Sequence, residues 1–257
     1  FLILKNGNTI TDQSSNSNDW ALGGGTLTNT EDCPSDIFAT FNSLYKNNSS
    51  FSNGNNTVTS GSSGEFGSAS TIGASGTGKY YSEVKWVSGS YPILGICDDI
   101  SLSAYSNGDL GFGKTGTTGS IALKSNGSWR VNNSDTSYGA SFSAGDIIGC
   151  ALDKSTNKVY FSKNGAWADG SGTWDSTTFN ASVGAIDVSS ILTGDFWFIG
   201  VGTDTGTAST IWSANFGNGY FQTTAISSEG TNASGIGKFE YDVPAGYTAI
   251  SAKGLNS

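Results

Sequence analysis

The chain has 257 residues, among them 37 Gly, 3 Pro, no His and no Met, with 13% charged and 12% aromatic residues and a net charge of −9. Many aromatics at low charge density exclude a disordered polar chain. The 12 Lys and Arg are scattered, leaving no basic stripe for nucleic acid or an anionic membrane surface.

One sandwich or barrel of this length is ordinary, and it buries roughly 70% of its unfolded surface. Phe1 is not a translation start, so a processed product or a segment of something longer is expected. The apolar run at residues 1–4 is too short for a signal or a membrane span, and no other run approaches about 18 residues. The three cysteines, Cys33, Cys97 and Cys150, make no disulfide framework and no zinc spacing. Cys97 and Cys150 lie in apolar strand patterns and read as small buried hydrophobes; they would pair only if their strands were neighbours. A soluble protein outside the cell or on an assembled particle suits this acidity.

Residues 1–30 read as short strands joined by turns, and residues 30–36 as a tight acidic corner. Residues 36–45 read as a short helix or an irregular segment. The Asn, Ser, Gly and Thr run at 47–63 reads as loop, with Phe51 and Val58 as inward anchors. Residues 71–72 and 79–87 read as strands, the second with Tyr81, Val84 and Trp86 toward a core. The continuous apolar run 93–97 marks a strand buried on both sides. Weak strands follow around Tyr105, residues 110–112, 120–124 and 129–131.

The clearest pattern is at 145–165. Ile148, Cys150 and Leu152 alternate with Gly149 and Ala151, and Val159 and Phe161 alternate with Tyr160 and Ser162. Residues 153–157 form the turn between them, and Asn164 with Gly165 signals a second turn. A long loop at 165–183 carries Trp167, Trp174 and Phe179. Residues 196–201 form the most hydrophobic strand, with Trp197 inward; residues 210–216, 238–243 and 247–250 complete the set, and Trp212 is a core residue. No helical period and no fixed repeat emerges.

Residues 78–84 (Gly-Lys-Tyr-Tyr-Ser-Glu-Val), 94–96, 145–150, 152–153, 159–165 and 215–217 (Asn-Phe-Gly) resemble, in order and spacing, the SPRY (B30.2-like) family. The resemblance covers residues 77 to about 217 and implies an all-β, concanavalin-A-like antiparallel β-sandwich, jelly-roll-like, with little helix. An enlarged segment between Cys97 and Gly145 and a longer 167–175 loop depart from the family pattern. The expected organisation is a single unit over 1–257: strands and loops at 1–76, a SPRY-like core at 77–217, and closing strands at 218–257. The flanks at 8–12, 27–35, 38–40, 52–55 and 247–255 are similar to SPRY-containing structural proteins of marine bacteriophages.

Without histidine, neither a Ser-His-Asp nor a Cys-His catalytic arrangement can be assembled, and the commonest transition-metal ligand is missing. Cys33 lacks an activating base. A glycosidase needs two carboxylates about 5–10 Å apart. Glu83 stands alone in its strand, and the alternating pair Glu240 and Asp242 reads as solvent-facing, with Phe239, Tyr241 and Val243 inward. Calcium candidates are Glu31, Asp32 and Asp36, and Asp98 with Asp99, none with a dedicated-loop spacing; acidic turns are the simpler reading. No cofactor, metal or catalytic residue is therefore expected.

Five rings, Tyr105, Trp129, Tyr138, Trp167 and Trp174, lie in Gly/Ser/Asn-rich contexts and are the candidate ligand-binding residues, since an apolar face with a polar edge serves sugars and protein partners alike. For any single ring, burial by a loop folding back is the simpler expectation. Together with the resemblance, these readings imply a non-enzymatic structural protein of a phage capsid, tail or fibre. It would contact sister subunits, as a homo-oligomer, and bind a host-surface glycan or receptor through the loops at 98–144 and 165–183. Its place would be the virion surface or the extracellular medium. The alternatives are a secreted bacterial adhesin or lectin-like module and a polysaccharide-degrading enzyme.

Overall fold

The computed structural model describes residues 11–12, 14–21, 23–24, 32, 36–61, 65–101, 111–116, 118–169, 171–205 and 208–257. Most of the strands expected at 1–30, together with Glu31, Cys33 and Tyr105, lie outside them. Two large, mainly antiparallel sheets form the fold. The first is seven-stranded, in the order β1 (Phe41–Lys46), β4 (Phe66–Ser70), β15 (Trp197–Thr203), β6 (Pro92–Asp98), β7 (Ser120–Lys124), β8 (Ser128–Val131) and β9 (Ser134–Ser137). The second is ten-stranded. Its main path runs β13 (Trp174–Ser176), β12 (Ala166–Ala168), β11 (Lys158–Lys163), β10 (Ile147–Asp153), β5 (Lys79–Gly89), β16 (Thr210–Asn215), β3 (Thr57–Ser60) and β2 (Ser49–Ser52). Two short strands join it at the side, β14 (Ile186–Asp187) on β11 and β19 (Thr248–Ala249) parallel to β5. A small hairpin, β17 (Tyr220–Phe221) with β18 (Thr224–Ala225), stands apart. This is the all-β sandwich expected, with a single 3-10 turn at Gly254–Asn256 as the only helical element among the described residues.

The 145–165 hairpin forms as its alternation requires. Cys150 faces Phe161 and Leu152 faces Val159 across β10 and β11, with Asn157 at φ 54° in the first turn and Asn164 and Gly165 at φ 49° and 81° in the second. Both faces of β10 are buried. Ile148, Cys150 and Leu152 pair with Val84, Ser82 and Tyr80 of β5 on one face. On the other face Gly149 and Ala151 sit opposite Glu83 and Tyr81. Gly149 is small for a reason: a Cβ there would lie 2.3 Å from the Ser162 hydroxyl and 2.7 Å from that of Tyr81.

Two sequence expectations are corrected. Residues 41–46 form a strand, where a short helix or an irregular segment was expected over 36–45, because β1 closes the edge of the first sheet against β4. The Asn/Ser run is a β-hairpin, with Phe51 opposite Val58, and β3 pairs with β16. Strand order also keeps Cys97 (on β6) and Cys150 (on β10) in different sheets, so they are free, buried thiols whose pKa values burial pushes up.

A smaller apolar cluster packs separately, formed by Phe66, Ala69, Ile93, Cys97, Phe112 and Ala122. Gly95 of β6 and Gly200 of β15 are register partners, and the Phe112 ring lies over both. A Cβ on Gly95 would fall 2.0 Å from that ring, and one on Gly200 2.2 Å from it. The two glycines interrupt otherwise continuous apolar strands in order to make this slot. Gly95→Ala is expected to destabilise the protein by about 1–3 kcal/mol through overpacking, read as a lower urea midpoint at unchanged m-value.

Candidate functional site

The chain that flanks the hairpin region does the organising. Glu83 of β5 is fully buried, and its two oxygens are shared among four donors. The Tyr241 backbone N–H (2.8 Å) and the Tyr81 hydroxyl (3.3 Å) donate to Oε1. The Glu240 N–H (2.9 Å) and the Asn215 amide (3.2 Å) donate to Oε2. Burial raises its pKa to about 7 against the lowering effect of those hydrogen bonds. Asn215 accepts from Gly217 and Gly219 N–H groups at 3.0 Å each, which fixes the turn leaving β16. Gly217, at φ 129°, passes so close to Phe38 that a Cβ would lie 2.4 Å from its ring. Thus the Asn-Phe-Gly segment and Glu83 together seat the C-terminal residues on the second sheet. Residues 238–243 are consequently not a strand. Glu240 caps Ser227 and Asp242 caps Thr231, which accounts for the alternating acids without a cleft.

The flanks also pair with each other. Phe38 bridges Ser251, the Ala39 N–H donates to the Ile250 carbonyl, and the Ala252 N–H donates to the Ile37 carbonyl, both at 2.9 Å. Beside this junction lies a cavity of about 580 Å³, within the ordinary range of ligand sites. Four segments line it: residues 32 and 37–40, the β2–β3 loop at 53–56, residues 71–72, and residues 218–223 leading into the β17–β18 hairpin. Its walls mix Ile37, Phe38, Ile72 and Tyr220 with Thr, Asn and Gln side chains and one carboxylate, Asp32. Burial and the nearby Asp36 raise the pKa of Asp32, against the lowering effect of the Phe38 N–H that donates to it at 3.0 Å.

The walls are held in place. Asn53, Gly54 and Asn55 are all left-handed, at φ 53°, 64° and 66°. The Asn55 carbonyl accepts from Phe41 N–H and the Asn56 carbonyl from Ala214 N–H. Gln222, at φ 55° in the two-residue turn of the small hairpin, donates its N–H to the Ser213 hydroxyl at 2.7 Å. Strained, well-anchored loop residues of this kind concentrate at binding sites. The amide oxygens of Asn56 and Asn218 are buried and accept no hydrogen bond. Each such orphan costs about 1–3 kcal/mol.

The four described candidate rings lie elsewhere, and mostly inward. Tyr138 is buried; its hydroxyl donates to the Gly184 carbonyl (2.6 Å) and accepts from the Phe161 N–H (3.0 Å). Trp167 is buried between Tyr81 and Phe179. Trp174 is half-buried on the core, stacked edge-on with Tyr138, and its indole N–H donates to the Ala140 carbonyl. Trp129 is half-buried, opposite Leu123 and Thr136. The 165–183 loop folds back over the sheet because Tyr81 and Tyr160 offer it an apolar surface to cover. Trp197 and Trp212 are core residues as expected, and Trp86 only half-buried.

Among the described residues no three His, Cys, Asp or Glu side chains converge on a metal position. Asp98 instead accepts from the Ser101, Thr193 and Gly194 N–H groups, and Asp99 from that of Phe196. Lys114, Lys124 and Arg130 are tied to Glu65, Asp135 and Asp204. No helix among these residues is long and apolar enough to cross a membrane.

The fold and its cavity define an antiparallel sandwich with an opening of about 580 Å³ built by its flanking segments. Within it, residues 79–186 match the family model of the SPRY domain. The solved structures similar to the chain include the SPRY domain of human HERC1, 17% identical, covering 68% of this chain and 96% of that one at a TM-score of 0.49. Another is a human SPRY domain, 22% identical, covering 61% and 90%, at a TM-score of 0.42. No curated protein matches the chain. Every described residue that lines the cavity falls outside the matched span.

Proposed function

We propose that the chain is a non-enzymatic recognition and structural protein of a bacteriophage particle, displayed on capsid or tail, and that it engages a host-surface ligand through the flank-built cavity. The observation that carries the recognition role is that cavity, with its preorganised walls and its mixed apolar and polar lining. The particle setting rests on the likeness of the flanks to phage structural proteins. Contacts with sister subunits fit the apolar side chains that the N-terminal flank exposes, Trp20, Ile37 and Leu44 at 62%, 56% and 95%. A two-carboxylate hydrolase is disfavoured because none of four cavities bounded by described residues has more than one described carboxylate in its lining.

Mass spectrometry of purified particles is expected to find this chain in stoichiometric amount, and the recombinant chain is expected to release no reducing ends from a panel of bacterial polysaccharides. Its absence from particles would overturn the virion role. Sugar release abolished by Asp32→Asn would overturn the non-enzymatic one.

A further inference from the structure

At Tyr91 neither the backbone nor the core asks for a tyrosine. The residue sits in the turn between β5 and β6 at φ 54°, a left-handed conformation that is an outlier for a bulky side chain. Pro92 after it favours an extended residue at that position. Among the described residues, seven of the ten non-glycine residues with positive φ are asparagines, and Tyr91 is the one aromatic. Packing does not explain the choice, because the side chain is 61% exposed. The turn is nevertheless held firmly. The Asp204 N–H donates to the Tyr91 carbonyl at 2.8 Å, and the Thr210 hydroxyl to the Ser90 carbonyl at 2.6 Å. A strained, anchored residue that presents an aromatic ring to solvent points to a contact surface.

The ring lines a cavity of about 290 Å³, together with Lys124, Ser125, Asn126 and Asp204. The charges there are already balanced. Lys124 and Arg130 pair with Asp135 and Asp204, and Lys114 with Glu65 and Asp204, three cations against three carboxylates. An ionic ligand would find no counter-charge left over. The open polar groups are neutral ones. The Asn126 amide oxygen is taken by the Ser128 N–H at 3.1 Å and hydroxyl at 2.7 Å, which leaves its NH₂ group free at an exposed position. The Ser125 and Tyr91 hydroxyls have no partner among the described residues, and both reach solvent. Strand β6 lies inside its sheet, between β15 and β7, so no free strand edge invites an extended peptide.

We infer that the turn at Tyr91 is a second recognition surface, separate from the flank-built cavity, and that it holds one neutral sugar residue. The C–H face of the sugar lies on the Tyr91 ring. Its hydroxyls, or an acetamido carbonyl, accept from the Asn126 amide and exchange hydrogen bonds with the Ser125 hydroxyl. These three residues fall within the span 79–186 that matches the SPRY domain, so the surface belongs to the sandwich and not to its flanks.

The test is an array of neutral hexose and N-acetylhexosamine oligosaccharides printed beside sulfated and sialylated ones, followed by calorimetry with the best neutral binder. Tyr91→Asn puts a residue suited to the left-handed turn in place of the ring. It is expected to melt at or above the wild-type temperature, while neutral binding weakens by roughly tenfold or more. Tyr91→Phe keeps the ring and should retain most of the affinity. Thr223→Trp, at an exposed position on the rim of the flank-built cavity, should leave this binding unchanged. Binding undiminished in Tyr91→Asn, or lost in Thr223→Trp, would overturn the site. A melting temperature lowered by Tyr91→Asn would make the ring a packing residue and overturn its reading as a platform. Binding confined to the acidic glycans, or none across the array, would overturn the ligand class. The presence of the chain in particles is measured separately, so the two readings fail independently.

Discussion

Glu83→Ala is expected to lower stability by about 3 kcal/mol, a fall in Tm of roughly 6–12 °C for a chain of this size. The loss comes from four donors stranded at once, two of them backbone N–H groups of the C-terminal segment. Glu83→Gln should be milder. Its single oxygen can serve the Glu240 N–H and the Asn215 amide, while its NH₂ group donates to the Tyr81 hydroxyl, leaving only the Tyr241 N–H without a partner. The same residue predicts a pH dependence. Burial raises its pKa from an ordinary 4.5 to about 7, so between those values the folded state holds a proton that the unfolded chain has released. Its contribution to stability is complete below about pH 4.5 and is lost as the pH rises to about 7, with a slope of up to about 1.4 kcal/mol per pH unit. Urea unfolding of the wild type across that window should show the decline, and Glu83→Gln should lack it. A wild-type stability that climbs over the same interval, with the variant parallel to it, would refute the assignment.

Trp167→Ala is expected to cost about 3–5 kcal/mol, the range for truncating a large aromatic in a core. The ring stands 4.9 Å from Phe179 and 6.2 Å from Tyr81, centroid to centroid, and Phe179 continues to Tyr160 and Tyr247 at 4.9 and 5.4 Å. Its removal opens a void under the 165–183 loop and loosens the cover of the second sheet. The measurable outcome is a drop in Tm of roughly 6–20 °C, with ligand binding by the folded fraction unchanged, since no described residue of 165–183 lines the cavity. Loss of binding at full stability would return this tryptophan to the ligand surface.

The sandwich was readable where burial on both faces left no room for polar residues, as in β6, β10 and β15, or where alternation met turn chemistry, as at 145–165. It was unreadable at the edges. Strand β1 (Phe-Asn-Ser-Leu-Tyr-Lys) has no β-branched side chain, and only pairing with β4 makes it extended. The Asn/Ser run hides a hairpin because its register depends on Phe51 facing Val58 and on β16 alongside. Residues 238–243 erred the other way: they alternate like a strand, yet the Glu240 and Tyr241 N–H groups are taken by Glu83 and those of Lys238 and Val243 by the Gly217 and Thr231 carbonyls, which a local pattern does not reveal. A lone acid in a strand that carries Tyr80, Tyr81, Val84 and Trp86 was a usable signal for that buried anchor.

The rings were conspicuous in sequence but are mostly structural. The cavity, by contrast, is made of Asn, Thr and Gln from stretches that look like low-complexity filler. Its residues come from positions 32 to 72 and 218 to 223, and only the meeting of the two flanks brings them together. The run of Asn and Gly at 53–55, all left-handed, was the one local hint of a shaped loop.

The antiparallel junction of residues 36–39 with 250–252 also has a mechanical meaning. The chain enters and leaves it from the same side, so tension applied through the two flanks would load its hydrogen bonds one after another, as in unzipping, and not together in shear. Ile37 and Phe38 belong both to that seam and to the cavity wall. Force would therefore open the pocket before it reached the sheets, making this end of the sandwich a weak link that yields while the rest of the molecule remains folded.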